Sequence, residues 1–108
     1  MSTRLPGAKY KDVFDRGRPV KGRLFASWRL DAGIPGFAAG VVVSKKAFHD
    51  AVDRNRAKRL LREAYRLLAK GGRAPRDVGW IFSARSAMAG AKCGEVMEEM
   101  LKVFARAR

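Results

Sequence analysis

Between positions 54 and 66 the chain sets Arg54, Asn55, Arg56, Lys58, Arg59, Arg62 and Arg66 against one acidic residue, Glu63. Solvated helix faces ordinarily alternate signs so that Glu and Lys pair four residues apart, and like charges at that spacing cost roughly a few tenths of a kcal/mol per pair. An uncompensated row such as this asks for an external counter-charge, and phosphates supply one. Arginine suits that role because its planar fork meets phosphate oxygens and base edges bidentately and stacks on bases. Asn55 adds a donor and an acceptor able to read a base or a 2′-hydroxyl. A nuclease acting through protein groups alone would need clustered carboxylates to hold magnesium. Asp12, Asp15, Asp50, Asp53 and Glu63 fall into no such pattern. His49 and Cys93, each the sole residue of its type, form neither a zinc constellation nor a sequence-positioned nucleophile and base. No catalytic residue and no metal ligand is assigned to the chain, and His49 and Cys93 read as structural.

These side chains need an element to carry them. At about 100° per residue, with Arg54 at zero, Lys58, Arg62, Arg66, Arg59 and Arg56 fall between about 40 and 200°, while Leu67, Leu60, Ala64, Ala57, Leu68 and Leu61 fall between about 220 and 340°. The spacing predicts an amphipathic helix that starts near Asp53, which can cap it, and that Gly71 and Gly72 end. Ala38 to Val43 and Val78 to Ala84 read as short buried strands on either side of it. Residues 9–16, with Tyr10, Val13 and Phe14 on one face, predict a short helix closed at Gly17. Arg23 to Leu30 alternates as a strand, Leu24, Ala26, Trp28 and Leu30 on one face, with Phe25 as an aromatic exception. Asp31 to Gly36 reads as a turn. A last helix over 91–106 buries Val96, Met97, Met100, Leu101 and Phe104 and turns Glu95, Glu98 and Glu99 outward. No repeat or low-complexity run divides the chain, so one domain over 1–108 is expected.

Charge sharpens the binding reading. The 108 residues carry 24 Lys+Arg against 10 Asp+Glu, a formal net charge of +14, and 47% are apolar. That apolar share argues for a folded chain, and the charge argues for a polyanionic partner over an ordinary metabolic enzyme. The excess is uneven: +6 over residues 1–30, −1 over 31–43, +8 over 44–76 and +1 over 77–108. The C-terminal third therefore reads as scaffold. The longest apolar run, Phe37 to Val43, is far too short to span a bilayer, and no secretory pattern opens the sequence. A basic amphipathic helix can also lie on anionic lipid, but this apolar face is small, rich in alanine and needed by the strands. The lone cysteine rules out an intramolecular disulfide. A cytoplasmic protein with neither a membrane nor a DNA partner is expected.

Val43-Ser44-Lys45-Lys46 leading to Ala51-Val52-Asp53-Arg54-Asn55-Arg56-Ala57-Lys58-Arg59-Leu60-Leu61-Arg62-Glu63 closely resembles the signature of the protein component of bacterial ribonuclease P. Arg4-Leu5, the 10–14 helix, Arg16-Gly17, Arg23-Leu24-Phe25 and residues 77–85 resemble other parts of that family, so the likeness spans nearly the whole chain. Ala47-Phe48-His49-Asp50 departs from it, lacking the family's glycine and running one residue longer. The resemblance implies an α/β (α+β) two-layer sandwich, a small mixed sheet of three to four strands with helices, and a βαβ unit with a left-handed crossover. It implies a ribonucleoprotein in which a catalytic RNA with bound Mg2+ removes the 5′ leader of precursor tRNA while the protein assists. On the matching positions, Arg54, Asn55, Arg56, Lys58, Arg59 and Arg62 would face the RNA subunit. Tyr10, Phe14 and Trp28, with Lys45 and Lys46 nearby, would line the cleft for the single-stranded leader. Read without the resemblance, the three aromatics are core, Tyr10 and Phe14 pinning a helix and Trp28 sharing a face with Leu24 and Leu30; the resemblance turns them into a partly exposed cleft. Charge alone would also fit a small ribosomal protein.

Overall fold

The structure, a computed structural model, describes residues 3–31 and 33–106. A 3-10 turn (Gly7–Lys9) leads into α1 (Tyr10–Arg16), followed by β1 (Arg18–Lys21), β2 (Phe25–Leu30), β3 (Phe37–Val42), α2 (Ala51–Lys70), β4 (Val78–Ala84) and α3 (Cys93–Arg106). The four strands form one mixed sheet in the order β1-β2-β4-β3, antiparallel except for the parallel β3–β4 pair. Leu61, Tyr65 and Leu68 of α2 and Val96, Met100 and Val103 of α3 bury against Phe25, Trp80 and Phe82 on one face. On the other face Val13 of α1 joins Leu5, Leu30, Ile34, Ala38 and Ile81. The sheet and its α2–α3 layer form the expected sandwich, and short α1 lies on the opposite side.

The β3–α2–β4 crossover is left-handed, and the backbone shows it directly. Ala39 donates to the Thr3 carbonyl at 2.8 Å and accepts from the Leu5 N–H at 3.0 Å, so its polar groups point away from β4. Its side chain packs in the core beneath α2. In a strand of L-residues running upward, a residue whose side chain faces the viewer turns its own N–H and C=O to the right. Seen from α2, β4 therefore lies to the left of β3, against the right-handed rule obeyed by about 98% of such units.

Several elements differ in detail from the periodicity. Strand β1, not anticipated, uses Pro19 on a sheet edge where a missing N–H costs no ladder bond. The turn at Gly22 to Leu24 then shortens β2 to Phe25–Leu30. This explains the aromatic exception: Phe25 and Ser27 face the α2–α3 layer, whereas Trp28 and Leu30 face α1. Helix α2 begins at Ala51 with Asp50 at its N-cap, two residues before the expected start. Val52, 76% exposed, belongs to a first turn without a buried residue, the first being Ala57. The buried stripe is Ala57, Leu61, Ala64, Tyr65, Leu68 and Ala69, rotated from the expected one, with Leu67 left exposed. The Tyr65 hydroxyl lies near the Ala38 backbone without a hydrogen bond of sound geometry, and burial pushes its pKa up to about 12. In α3, Glu99 does not look outward: its carboxylate accepts the Leu24 N–H at 2.6 Å.

Candidate nucleic-acid interface

Helix α2 has 20 residues, which at 1.5 Å per residue give about 30 Å, nearly the 35 Å long dimension of the molecule. Its six candidate side chains divide into two groups. Arg54 points along the buried direction of the helix in its first turn, and its Nη1 donates to the carbonyls of Phe48 and His49 at 3.0 and 2.8 Å. Arg56 reaches the other flank and donates from Nη2 to the Ala91 carbonyl at 3.0 Å. These two arginines tie α2 to the loop before it and to the turn before α3. Among the described residues, no hydrogen bond or ion pair engages the side chains of Asn55, Lys58, Arg59 or Arg62. Glu63, the one carboxylate between positions 54 and 66, is taken by Arg66 at 2.6 Å. That bond holds the Glu63 carboxyl below the usual carboxylate range and leaves the remaining cations uncompensated. Arg59 and Arg62 line an open depression with Arg4 and Tyr65, where α2 passes the N-terminal segment.

The aromatic set lies on the opposite face of the sheet. Helix α1 crosses the strands, so that Tyr10 stands over Gly40 of β3 and Phe14 meets Trp28 of β2 edge-on, ring centroids 4.9 Å apart. Gly40 makes this possible, because a Cβ there would sit 2.5 Å from Tyr10 Cζ. Tyr10 and Trp28 are partly buried against the smaller core cluster, and Phe14 is 39% exposed. The three residues thus combine the core role that their spacing suggests with the open role that the resemblance implies. Beside α1, the sheet register aligns Lys21, Ala26, Ser83 and Val42 across β1, β2, β4 and β3. All four keep some exposure and form a shallow floor. Lys45 and Lys46, both exposed, follow directly from the β3 end of that floor. Ala26, Ser83 and Val42 escaped sequence reasoning because small and aliphatic residues in a strand look like ordinary core; only the pairing register and their partial exposure show them as one open row.

Among the described residues, no group of three or more His, Cys, Asp or Glu side chains could hold a metal ion. His49 is exposed, and Cys93 is partly packed against the core, with burial pushing its thiol pKa up. Among the described residues, no helix is long and apolar enough to cross a membrane.

The family model described as Ribonuclease P matches residues 5–108. The chain belongs to the ribonuclease P protein family. A ribonuclease P protein component of Exiguobacterium is 40% identical over 93% of this chain and 84% of its own length, and one of Pelotomaculum thermopropionicum is 40% identical over 91% and 85%. The fold is similar to that of the Thermotoga maritima ribonuclease P protein, with a TM-score of 0.80 at 23% identity over 97% of both chains. It is similar also to the Staphylococcus aureus protein, with a TM-score of 0.78 at 24% identity over 100% of this chain and 97% of that one. As a ribonuclease P protein, the chain is a component of a tRNA-processing ribonucleoprotein endonuclease and has an RNA partner in that complex. The small ribosomal protein that charge alone allowed finds no support in these matches.

Proposed function

We infer that this chain serves ribonuclease P through two separate surfaces, one for the catalytic RNA and one for the 5′ leader of precursor tRNA. The observation that carries the reading is the unengaged row of Asn55, Lys58, Arg59 and Arg62 on a helix that spans the molecule. In this reading Arg59, Arg62 and Lys58 meet phosphates of the RNA subunit, and Asn55 meets a base edge or a 2′-hydroxyl. Arg54 and Arg56 hold the N-terminal end of the helix in place and offer the RNA only their remaining N–H donors. The leader lies on the floor beside α1. Phe14, backed by Trp28 and Tyr10, gives a base an aromatic face, Lys45 and Lys46 follow the backbone, and such stacking is worth about 1 to 3 kcal/mol per base without demanding a sequence. Catalysis belongs to the RNA subunit, which together with the substrate binds the magnesium; among the described residues, the carboxylates of this chain form no cluster that would hold it. The expected setting is the cytoplasm.

Reconstitution tests this directly. Added to a bacterial ribonuclease P RNA at low magnesium, the protein should stimulate leader removal, because it supplies positive charge that the missing magnesium would otherwise provide. Absence of stimulation rejects the function. Cleavage by the protein without any RNA subunit rejects the assignment of catalysis.

A further inference from the structure

The near-neutral charge of residues 77–108 hides a local concentration. Where the β1–β2 hairpin meets the last turn of α3, an open depression is lined by Lys21, Arg23, Glu99, Lys102 and Arg106. Glu99 is the carboxylate within it, and it is committed to the Leu24 N–H at 2.6 Å. Glu98, one turn before Lys102 on α3, is exposed and pairs with none of the four cations, and Arg85 is spent in part on the Gly22 carbonyl at 3.2 Å. Among the described residues, no hydrogen bond or ion pair engages the side chains of Lys21, Arg23, Lys102 or Arg106. Two of these cations gain from the helix dipole at the C-terminal end of α3, but that does not account for Lys21 and Arg23 on the hairpin.

Lys21 connects this patch to the floor beside α1, since it is both the β1 member of the Lys21–Ala26–Ser83–Val42 row and a wall of the depression. From Val42 to Lys21 are three inter-strand steps, about 14 Å. The RNA-facing row of α2 adjoins β3, with Arg62 and Ala39 lining one depression. A leader held by the catalytic RNA near its cleavage site therefore enters the floor from the β3 side, past Lys45 and Lys46, and leaves across β1.

We propose that the leader continues over the β1 edge, and that Arg23, Lys102 and Arg106 bind the phosphates of its cleavage-distal nucleotides. The inference rests on the two-surface reading above. It takes a segment that looked like scaffold and gives it a share in substrate binding.

The test uses the reconstituted holoenzyme with two precursors, one whose leader ends within the aromatic floor and one whose leader reaches well beyond β1. Arg23, Lys102 and Arg106 are changed together to Ala, leaving Lys21 and the floor intact, and Arg23→Glu serves as a second variant. Both proteins should melt as wild type does, because none of the three side chains has a partner to lose. For the long leader, affinity should fall about tenfold at moderate salt, and three lost single-strand contacts should make the log–log salt slope shallower by about 2. Affinity for the short leader and for the RNA subunit should stay unchanged. Equal loss on both leaders, loss of RNA-subunit affinity, or no effect at all overturns the inference. If wild-type holoenzyme forms but gains nothing from the longer leader, this inference alone falls. If wild-type protein fails to stimulate the RNA, the function falls with it.

Discussion

Arginines that look equivalent in the sequence do different work in the fold. Arg54 and Arg59 both belong to the motif that resembles the ribonuclease P signature, yet Arg54 donates to two loop carbonyls and Arg59 has no partner among the described residues. Removing Arg54 leaves two carbonyls to find other donors, and hydrogen bonds to a charged group contribute about 1.5 to 3 kcal/mol each when buried and less near the surface. Arg54→Ala should therefore lower stability by about 1 to 2 kcal/mol, read as a reduced urea midpoint with an unchanged slope. Arg59→Ala should stay within about 0.5 kcal/mol of wild type and weaken RNA binding instead. Equal stability of the two variants would refute this division. The types and order of these residues were legible in the sequence because charge and motif spacing are local properties. Their division into clamps and contacts was not, because it depends on where the chain places the Phe48, His49 and Ala91 carbonyls.

At the scale of elements, the parts with strong local patterning emerged closely. Val78–Ala84 has the expected bounds, because a seven-residue run rich in aromatic and branched side chains and buried on both faces leaves little ambiguity. Strand β1 did not emerge, since its three exposed residues, Pro19 among them, and half-buried Val20 carry no run of hydrophobic alternation, and only pairing with β2 makes them a strand. The apolar stripe of α2 came out rotated because Tyr65 is buried for shape despite its hydroxyl, while Leu67 is left outside. The left-handed crossover was expected from the resemblance alone; periodicity carries no information about which side of β3 receives β4. The contact that joins α1 to the sheet gives a test at this scale. Gly40→Ala places a methyl against the Tyr10 ring, and overpacking of this kind costs about 1 to 3 kcal/mol. It should shift α1, separate Phe14 from Trp28, and reduce affinity for leader-bearing precursor while leaving RNA-subunit affinity intact. A melting temperature and leader affinity equal to wild type would show that α1 does not depend on this contact.

For the whole molecule, the charge of +14 is spread over a body with a radius of gyration of 12.7 Å, and its distribution matters more than its size. One concentration runs along α2 on one side of the sheet, a second flanks the aromatic floor on the other, and the patch at the hairpin joins that floor around the β1 edge to the C-terminal end of α3. The sheet separates α2 from the floor, so on the two-surface reading two RNA segments are held without bringing their phosphates together. The most direct test of the two-surface account is a matrix of binding measurements. Arg59→Ala/Arg62→Ala and Phe14→Ala are each measured for affinity to the RNA subunit and, as assembled holoenzyme, for affinity to precursor against mature tRNA. The account predicts that the arginine pair loses RNA-subunit affinity with a salt slope shallower by about 1.4 to 1.8 for two lost phosphate contacts, while its assembled holoenzyme keeps the preference for precursor. It predicts that Phe14→Ala keeps RNA-subunit affinity and loses the preference for precursor over mature tRNA. Losses that fall in the same column for both variants would contradict it.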